Sequence, residues 1–183
     1  VKPANSGSSI GISKVYTCDT AFLAIKKAFE YDEKIIVEEY IDGRELECAV
    51  LGNLSPVASL PGEIIPQHDF YSYRAKYFDP NGAFFQIPAK LPTHITDKIQ
   101  ALSIKAFKAL CCQGMARVDF FLRTKDQALF INELNTIPGF TSVSLYPKLW
   151  EISGLSLKAL ISQLIELSIE RANRKNHCLC SFF

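Results

Sequence analysis

Apolar side chains recur along the chain at helical spacing in three segments, each bounded by residues that begin or end helices. The first helix is predicted from Asp19, which can cap it, to about Tyr31. The second is predicted after a cap at Thr96, and the third runs from Ser156 to about Arg174.

Between these helices the apolar and polar positions alternate in the manner of β-strands. Strands are predicted at 35–41, 44–51, 56–65, 116–122 and 129–135. The first three are separated by turn residues and predict an antiparallel meander, and the last two predict a hairpin. Together the elements indicate an α+β fold with mostly antiparallel sheets.

Three segments do not fit either period and are predicted as loops. Residues 1–14 are rich in Gly, Ser and Asn and predict a glycine-rich hairpin. Residues 66–92 are rich in proline and aromatic side chains, and so long a connection is typical of a lid or binding loop. Residues 136–147 carry Pro138, Gly139 and several hydroxyl groups.

The composition narrows the class of protein. With 183 residues, 48% of them apolar, the chain can bury a core, which excludes a disordered protein. Its 20 basic and 19 acidic residues nearly cancel, so neither nucleic acid nor a membrane surface is an expected partner. The spacing of the six cysteines is not typical of a disulfide framework, and it indicates reduced thiols in a cytoplasmic protein. The only methionine is Met115 and the chain opens on a strand end, which predicts a fragment.

The hairpin formed by 116–122 and 129–135 concentrates the candidate chemistry, because side chains alternate between the faces of a strand. One face is expected to hold Val118, Phe120, Leu122, Phe130 and Leu134, and the other Arg117, Asp119, Glu133 and Asn135. The turn length predicts Asp119 opposite Glu133 and Arg117 opposite Asn135. Two carboxylates and an amide oxygen favour Mg²⁺ or Mn²⁺, with Arg117 placed to stabilise a transferring phosphoryl group. The alternative is a solvated face whose acids pair with Arg117 and nearby lysines.

The opening loop predicts phosphate contacts. Gly7, Ser8, Ser9 and Gly11 allow backbone N–H groups to approach phosphate oxygens, and Lys2 supplies a positive charge. A plain Gly/Ser hairpin is the alternative, since neither a Walker pattern nor a dinucleotide-binding glycine pattern is present.

Five collinear segments resemble successive motifs of the D-alanine:D-alanine ligases, which are ATP-grasp enzymes. They lie at 2–12, 38–45, 73–77, 116–119 and 131–142. The resemblance covers Lys2 to about Arg171 and implies an ATP-grasp fold without the family's N-terminal domain. Residues 1–42 would be the remainder of the central subdomain, with the phosphate loop and an adenine-binding strand. Residues 43–174 would be the C-terminal subdomain with lid loop 66–92 and metal hairpin 116–135, and residues 175–183 a tail.

The resemblance also implies a role for individual residues. ATP would contact Lys2, Ser8, Glu38, Glu39, Tyr40, Ile41, Glu45 and Lys76, with the two lysines on phosphates and Glu45 on ribose. Asp119, Glu133 and Asn135 would hold two Mg²⁺ (or Mn²⁺) ions. Arg117 would stabilise the reacting groups, Gly139 would offer a backbone contact to an oxyanion, and Ser8 with Tyr77 would close the lid loop. Ser144 and the backbone of Leu145 would hold the carboxylate of the second substrate.

The implied reaction joins two D-alanine molecules for peptidoglycan precursor synthesis. The carboxylate of the first accepts the γ-phosphoryl group of ATP, and the amine of the second attacks that acyl-phosphate. The resemblance implies a cytoplasmic enzyme that is a homodimer at full length, and Tyr77 is similar to the tyrosine of members that make the dipeptide. Two alternatives remain: another ATP-grasp carboxylate–amine ligase, with D-lactate or D-serine as acceptor, or an inactive nucleotide-binding fragment.

Overall fold

The structure is a computed structural model that describes residues 1–66, 83–141 and 144–179. The chain divides into two compact units. The first consists of Val1–Asp42 and Ile65–Phe84, and the second of Gly43–Ile64 and Phe85–Phe183. The predicted α+β class is confirmed, and every strand pairing whose register the described residues define is antiparallel.

The first unit contains a two-stranded sheet and one helix. Strand β1 (Lys2–Pro3) pairs with β2 (Ile35–Ile36), so the strand predicted at 35–41 ends after two residues. Helix α1 (Cys18–Ala28) ends three residues before the predicted end. The predicted cap at Asp19 is wrong, because Thr17 forms a capping box with Thr20. Asp19 lies in the first turn of α1, where its charge complements the helix dipole.

Six strands form the larger sheet. They are β3 (Gly43–Gly52), β4 (Val57–Ala58), β5 (Gly62–Pro66), β6 (Ala83–Gln86), β7 (Gly114–Arg123) and β8 (Leu129–Asn135), in the order β6-β5-β3-β7-β8, with β4 also paired to β3. The strand predicted at 56–65 is divided into β4 and β5. Strand β6 lies within the segment predicted as a loop at 66–92, of which 67–82 fall outside the described residues.

Helix α2 (Thr93–Ala109) covers one face of β3 and β7 and closes the main core. Its N-cap is Pro92, so the cap predicted at Thr96 is wrong. The residues at the centre of this core are fully or almost fully buried: Leu46, Cys48 and Val50 of β3, Val118, Phe120 and Leu122 of β7, and Ile95, Ile99 and Phe107 of α2. Alternate residues of β7 are buried, as a strand with one apolar face requires.

Two further helices follow β8. Helix α3 (Leu145–Ile152) begins inside the loop predicted at 136–147 and extends beyond it, and α4 covers Leu157–Leu179. The first five residues of the segment predicted as a tail, 175–183, are therefore helical, and 180–183 lie outside the described residues. No single helix in the described part of the chain is long and apolar enough to cross a membrane. Helices α3 and α4 meet that length and composition test only as a pair, bent by 106° between them.

A β-bulge in β8 corrects one prediction about the hairpin. Asp119 lies opposite Glu133, but the next residue, Phe120, lies opposite Ile131, so Asn132 is left out of the pairing. This shift places Phe130 opposite Phe121, on the face away from the core, and it is wrong to count Phe130 among the core residues. Leu129 packs against the core instead.

Candidate active site

Three carboxylates lie side by side on neighbouring strands of the sheet. Glu47 of β3 is the register partner of Asp119 in β7, and Asp119 is the partner of Glu133 in β8. Arg117 lies opposite Asn135. Directly opposed residues project to the same face of a sheet, so all five polar side chains share the face opposite the main core. The register predicted for the hairpin is confirmed.

The guanidinium group of Arg117 links two of these carboxylates. Its Nε and Nη2 atoms donate to the two oxygens of Asp119, each at 2.7 Å, which is a bidentate pair. The same Nε lies 3.1 Å from Oε2 of Glu47. The side chain of Arg117 is 21% exposed, that of Asp119 14%, and Glu47 is almost fully buried at 5%. The three groups form a charge network at the edge of the protein interior.

Burial and charge act on Arg117 in opposite directions. Desolvation alone would lower the pKa of its guanidinium group, because burial disfavours the charged form. The hydrogen bonds and charge of Asp119, with the charges of Glu47 and Glu133, outweigh this and raise the pKa of Arg117 above its usual value. Arg117 therefore stays cationic, as a group that stabilises phosphoryl charge must.

The amide of Asn135 lies between the other two carboxylates. Its Nδ2 atom donates to Oδ2 of Asp119 at 3.1 Å and to Oε1 of Glu133 at 3.3 Å. A positively polarised N–H₂ group thus occupies the space that faces both acids. Rotation of this amide would turn its oxygen toward the same space, and two carboxylates with an amide oxygen are a hard ligand set that suits Mg²⁺ or Mn²⁺.

The residues present therefore fit a divalent cation. Glu47 and Asp119 contact the Arg117 guanidinium group and Glu133 contacts the Asn135 amide, so one positive charge faces three negative ones and the cluster attracts a cation. No three His, Cys, Asp or Glu side chains converge as a metal-binding group within residues 1–66, 83–141 and 144–179. The candidate site rests on Asp119, Glu133 and Asn135. Glu47 lies beside Asp119 on β3, and β7 separates it from Glu133 and Asn135 of β8.

The loop after β8 brings two other predicted site residues together. A Cβ atom on Gly139 would lie 2.7 Å from Oγ of Ser144, so only glycine fits beside this hydroxyl without a shift. The Oγ atom of Ser144 accepts a hydrogen bond of 3.0 Å from the backbone N–H of Thr141. Ser144 is also the N-cap residue of α3. The side chain of Leu145 is buried, which leaves its backbone N–H, at the start of α3, as the group suited to an anion.

In the first unit, the glycine-rich segment forms a closed loop. The N-terminal ammonium group of Val1 donates to the backbone oxygen of Ser13 at 3.0 Å, and the N–H of Ser13 donates to the backbone oxygen of Val1 at 2.9 Å. Strand β1 pairs with β2 rather than with the end of this loop, so the segment is a loop and not a two-stranded hairpin. Ser8 and Ser9 have φ values of 54° and 61°, in the left-handed region that non-glycine residues rarely adopt. Gly11 has a φ of 72°, and a Cβ atom there would lie 2.7 Å from the Pro3 ring. The loop therefore has a specific, strained backbone shape.

The residues predicted to contact ATP are spread over both units. Nζ of Lys2 pairs with Oε1 of Glu38 at 2.9 Å. Glu39 and Tyr40 are exposed and Ile41 is half-buried, all beyond the end of β2.

The remaining predicted residues divide between the second unit and the part of the chain outside the described residues. Glu45 lies in β3, opposite Phe121 of β7. Lys76 and Tyr77 are outside the described residues.

Glu47 was not among the predicted site residues. The signal was present, since Glu45 and Glu47 alternate with the apolar Leu46 and Cys48 and so share the polar face of one strand. What could not be seen along the chain was that β3 pairs with β7, which places Glu47 beside Asp119.

Comparison with known proteins connects this arrangement to a family. The family model described as "D-ala D-ala ligase C-terminus" matches residues 1–166. A D-alanine--D-alanine ligase of Oceanobacillus iheyensis is 59% identical over 174 residues, which are 95% of this chain and 47% of that protein. The chain thus spans about half the length of the curated relatives it matches.

Solved structures agree with the family match. The D-alanine-D-alanine ligase from Coxiella burnetii superposes with a TM-score of 0.88 at 43% identity, covering 99% of this chain and 47% of that one. The VanG D-Ala:D-Ser ligase from Enterococcus faecalis superposes with a TM-score of 0.82 at 39% identity, covering 91% of this chain and 48% of that one.

Proposed function

The chain belongs to the D-alanine–D-alanine ligase family, in the part that the family's C-terminal model describes, and we propose that it is the ATP- and metal-binding portion of such an enzyme. The proposed reaction is the ATP-dependent joining of two D-alanine molecules. The observation that carries the proposal is the polar face of β7 and β8, where Arg117, Asp119, Glu133 and Asn135 lie together. The resemblance to the family implies the roles of charge-stabilising arginine and metal ligands for the same residues.

The proposed nucleotide contacts are those that the family resemblance implies. In the first unit, Lys2 and the loop with Ser8 would contact phosphate oxygens, and Glu38, Glu39, Tyr40 and Ile41 would hold the adenine. Glu45 would bind the ribose and Lys76 a phosphate. The closed shape of the loop and the position of Lys2 on the adjacent strand support this assignment.

Asp119, Glu133 and Asn135 would hold two Mg²⁺ or Mn²⁺ ions. These ions would supply Lewis-acid stabilisation of phosphate charge. For this, the Asn135 amide must present its oxygen rather than the N–H₂ group that now lies between the carboxylates. The protein's own contribution is a set of oxygens fixed by two paired strands.

Arg117 acts on the reacting groups through its fixed positive charge. The first D-alanine's carboxylate attacks the γ-phosphorus of ATP and ADP leaves, and the amine of the second D-alanine then displaces phosphate from the acyl-phosphate. Negative charge builds up on oxygen in both steps, and a guanidinium group held in place stabilises it without reorganisation. The backbone at Gly139 would contact the developing oxyanion.

The second D-alanine would be held at the start of α3. Ser144 and the backbone N–H of Leu145 would bind its carboxylate, since the first N–H groups of a helix have no partner within the helix. Ser8 and Tyr77 would close the lid loop over the acyl-phosphate and protect it from water. The product serves peptidoglycan precursor synthesis in the cytoplasm, and the full-length enzyme would be a homodimer.

A D-serine acceptor is the second candidate, because the chain is also similar to a D-Ala:D-Ser ligase. The test is phosphate release from ATP by the full-length protein, with D-alanine, D-serine or D-lactate as acceptor. We expect D-alanine to give the highest kcat/KM. Higher kcat/KM with D-serine or D-lactate would assign the enzyme to that acceptor, and no acceptor-dependent phosphate release would remove the ligase proposal.

The 183-residue chain permits a separate test of nucleotide binding. We expect Mg²⁺–ATP to raise its Tm, since a ligand that binds only the folded state stabilises it. Mg²⁺ with AMP is the control for binding that does not involve the β- and γ-phosphates. An unchanged Tm with Mg²⁺–ATP would show that the 183-residue chain is not a working nucleotide-binding module on its own.

A further inference from the structure

Glu47 is a buried acid for which neither the sequence motifs nor the family resemblance supplied a role. It is 5% exposed, and its Oε2 atom lies 3.1 Å from Nε of Arg117. Burying a carboxylate is costly unless a charge partner compensates, so the pair is a specific arrangement rather than a solvated surface contact. Glu47 lies on β3, whereas Glu133 lies on β8 at the other side of β7.

Asp119 has to hold the guanidinium group of Arg117 and, in the proposed metal site, also ligate a divalent cation. Its two oxygens accept two N–H groups of Arg117 and one of Asn135. These three donors occupy most of the roughly four lone-pair directions of a carboxylate, so a divalent cation that ligates Asp119 shares its oxygens with Arg117 and draws their negative charge toward itself. Cation binding therefore weakens the contact that fixes Arg117.

We propose that Glu47 is a positioning residue that holds Arg117 when Asp119 is shared with a divalent cation, an inference that rests on the proposed metal site. The Nε–H group of Arg117 already lies within reach of both acids, at 2.7 Å from Asp119 and 3.1 Å from Glu47. A small shift toward Glu47 keeps the guanidinium group beside the reacting centre. Glu47 is assigned to Arg117 rather than to the cation, because its Oε2 atom faces Nε of Arg117 and β7 lies between it and Glu133 of β8.

The same sheet offers a matched control. Glu63 of β5 is also almost fully buried, at 7% exposed, and accepts two N–H groups of Arg44 at 2.7 and 2.6 Å. This pair is remote from Asp119 in the strand order, with β3 between them. The variants Glu47→Gln and Glu63→Gln therefore remove equivalent buried charges, and only the first should affect Arg117.

The experiment measures hydrogen exchange of the Arg117 Nε–H by ¹⁵N NMR on the 183-residue chain, with and without Mg²⁺, the resonance being assigned by its loss in Arg117→Lys. In the unmodified chain we expect slow exchange in both conditions. Without Mg²⁺, we expect the exchange rate in Glu47→Gln to lie within twofold of the rate in the unmodified chain. With Mg²⁺, we expect it to be at least tenfold faster than in the unmodified chain. Glu63→Gln should stay within twofold of the unmodified chain throughout. A merely structural role for Glu47 would not make the difference depend on the cation.

Each outcome decides a separate point. Equal exchange in Glu47→Gln and the unmodified chain with Mg²⁺ bound would overturn the role of Glu47 alone. No Mn²⁺ binding by the unmodified chain, measured by electron paramagnetic resonance, would overturn the metal site and this inference with it. If Glu47→Gln does not fold, Glu47→Asp keeps the charge but withdraws the oxygens from Nε. Exchange in that variant should also rise with Mg²⁺, and an unchanged rate would refute the role.

Discussion

Replacing Glu133 with glutamine should separate metal binding from stability. Glu133 is exposed, and the Asn135 amide joins it to Asp119 through bonds of 3.3 and 3.1 Å. Both oxygens accept from the same Nδ2 atom, so the sum of the two bond lengths is an upper limit to their separation, and two unit charges about 6 Å apart repel by about 0.7 kcal/mol in bulk water. Attraction between Glu133 and Arg117 has the opposite sign and offsets part of this. Glu133→Gln should change the free energy of unfolding by less than about 1 kcal/mol.

The effect on a bound cation should be much larger. Glu133 is one of only two charged groups in the proposed ligand set, and glutamine offers a neutral oxygen in its place. We expect Mn²⁺ affinity to fall more than tenfold, which corresponds to at least about 1.4 kcal/mol of binding free energy. In the full-length protein the same substitution should remove most of the ligase turnover.

Two measurements on the 183-residue chain test this reasoning. Electron paramagnetic resonance reports free Mn²⁺ during a titration, and urea unfolding is followed by the fluorescence of Trp150, the chain's single tryptophan, which is buried. Glu166→Gln removes the same charge from an exposed position on α4 and is the control. Mn²⁺ affinity within twofold of the unmodified chain in Glu133→Gln would refute Glu133 as a ligand. A loss of several kcal/mol of stability would instead show that the Glu133 carboxylate contributes to folding far more than its exposed position implies.

Three further outcomes are expected. Burial raises the pKa of the Cys48 thiol to about 11, so iodoacetamide at pH 8 should label exposed Cys111 and leave Cys48 unmodified in the folded chain, as peptide mass mapping would show. Hydrogen bonds from Arg123, and then from a backbone N–H group, lower the pKa of the Asp126 carboxyl from 3.8 to about 2. The contribution of this carboxylate to stability should therefore be complete above pH 4 and lost as the pH falls toward 2. A ¹³C titration of the carboxyl group with a midpoint near 3.8 would contradict this. Gly139→Ala should cost about 1 kcal/mol of unfolding free energy by forcing the Ser144 hydroxyl aside, and unchanged stability in urea would show that the loop yields freely.

The hairpin register could be predicted because it depends on local information. Side chains alternate along a strand, and the turn fixes which residues face each other, so Asp119 and Glu133 were predicted as partners from the sequence alone. The bulge at Asn132 carries no such periodic signal. It was therefore invisible, and Phe130 was assigned to the wrong face.

Elements that depend on contacts distant in sequence were harder to predict. The pairing of β3 with β7 joins segments about seventy residues apart, and without it Glu47 is simply an acid in a strand. Helix α3 was missed because it is short, follows a loop rich in hydroxyl groups, and gains its stability from burying Tyr146, Leu149 and Trp150 against the rest of its unit.

The bulge at Asn132 divides β8 into two parts in which odd-numbered side chains point to opposite faces of the sheet. On the turn side of the bulge, odd-numbered Leu129 faces the core, and beyond it odd-numbered Glu133 faces away from the core. A single strand of seven residues thereby carries both a core-packing residue and the proposed cation ligands. Deleting Asn132 would give the whole strand one alternation and force either Leu129 or Glu133 to the wrong face. One residue without a strand partner therefore allows the core-facing and the polar part of β8 to lie in the same strand.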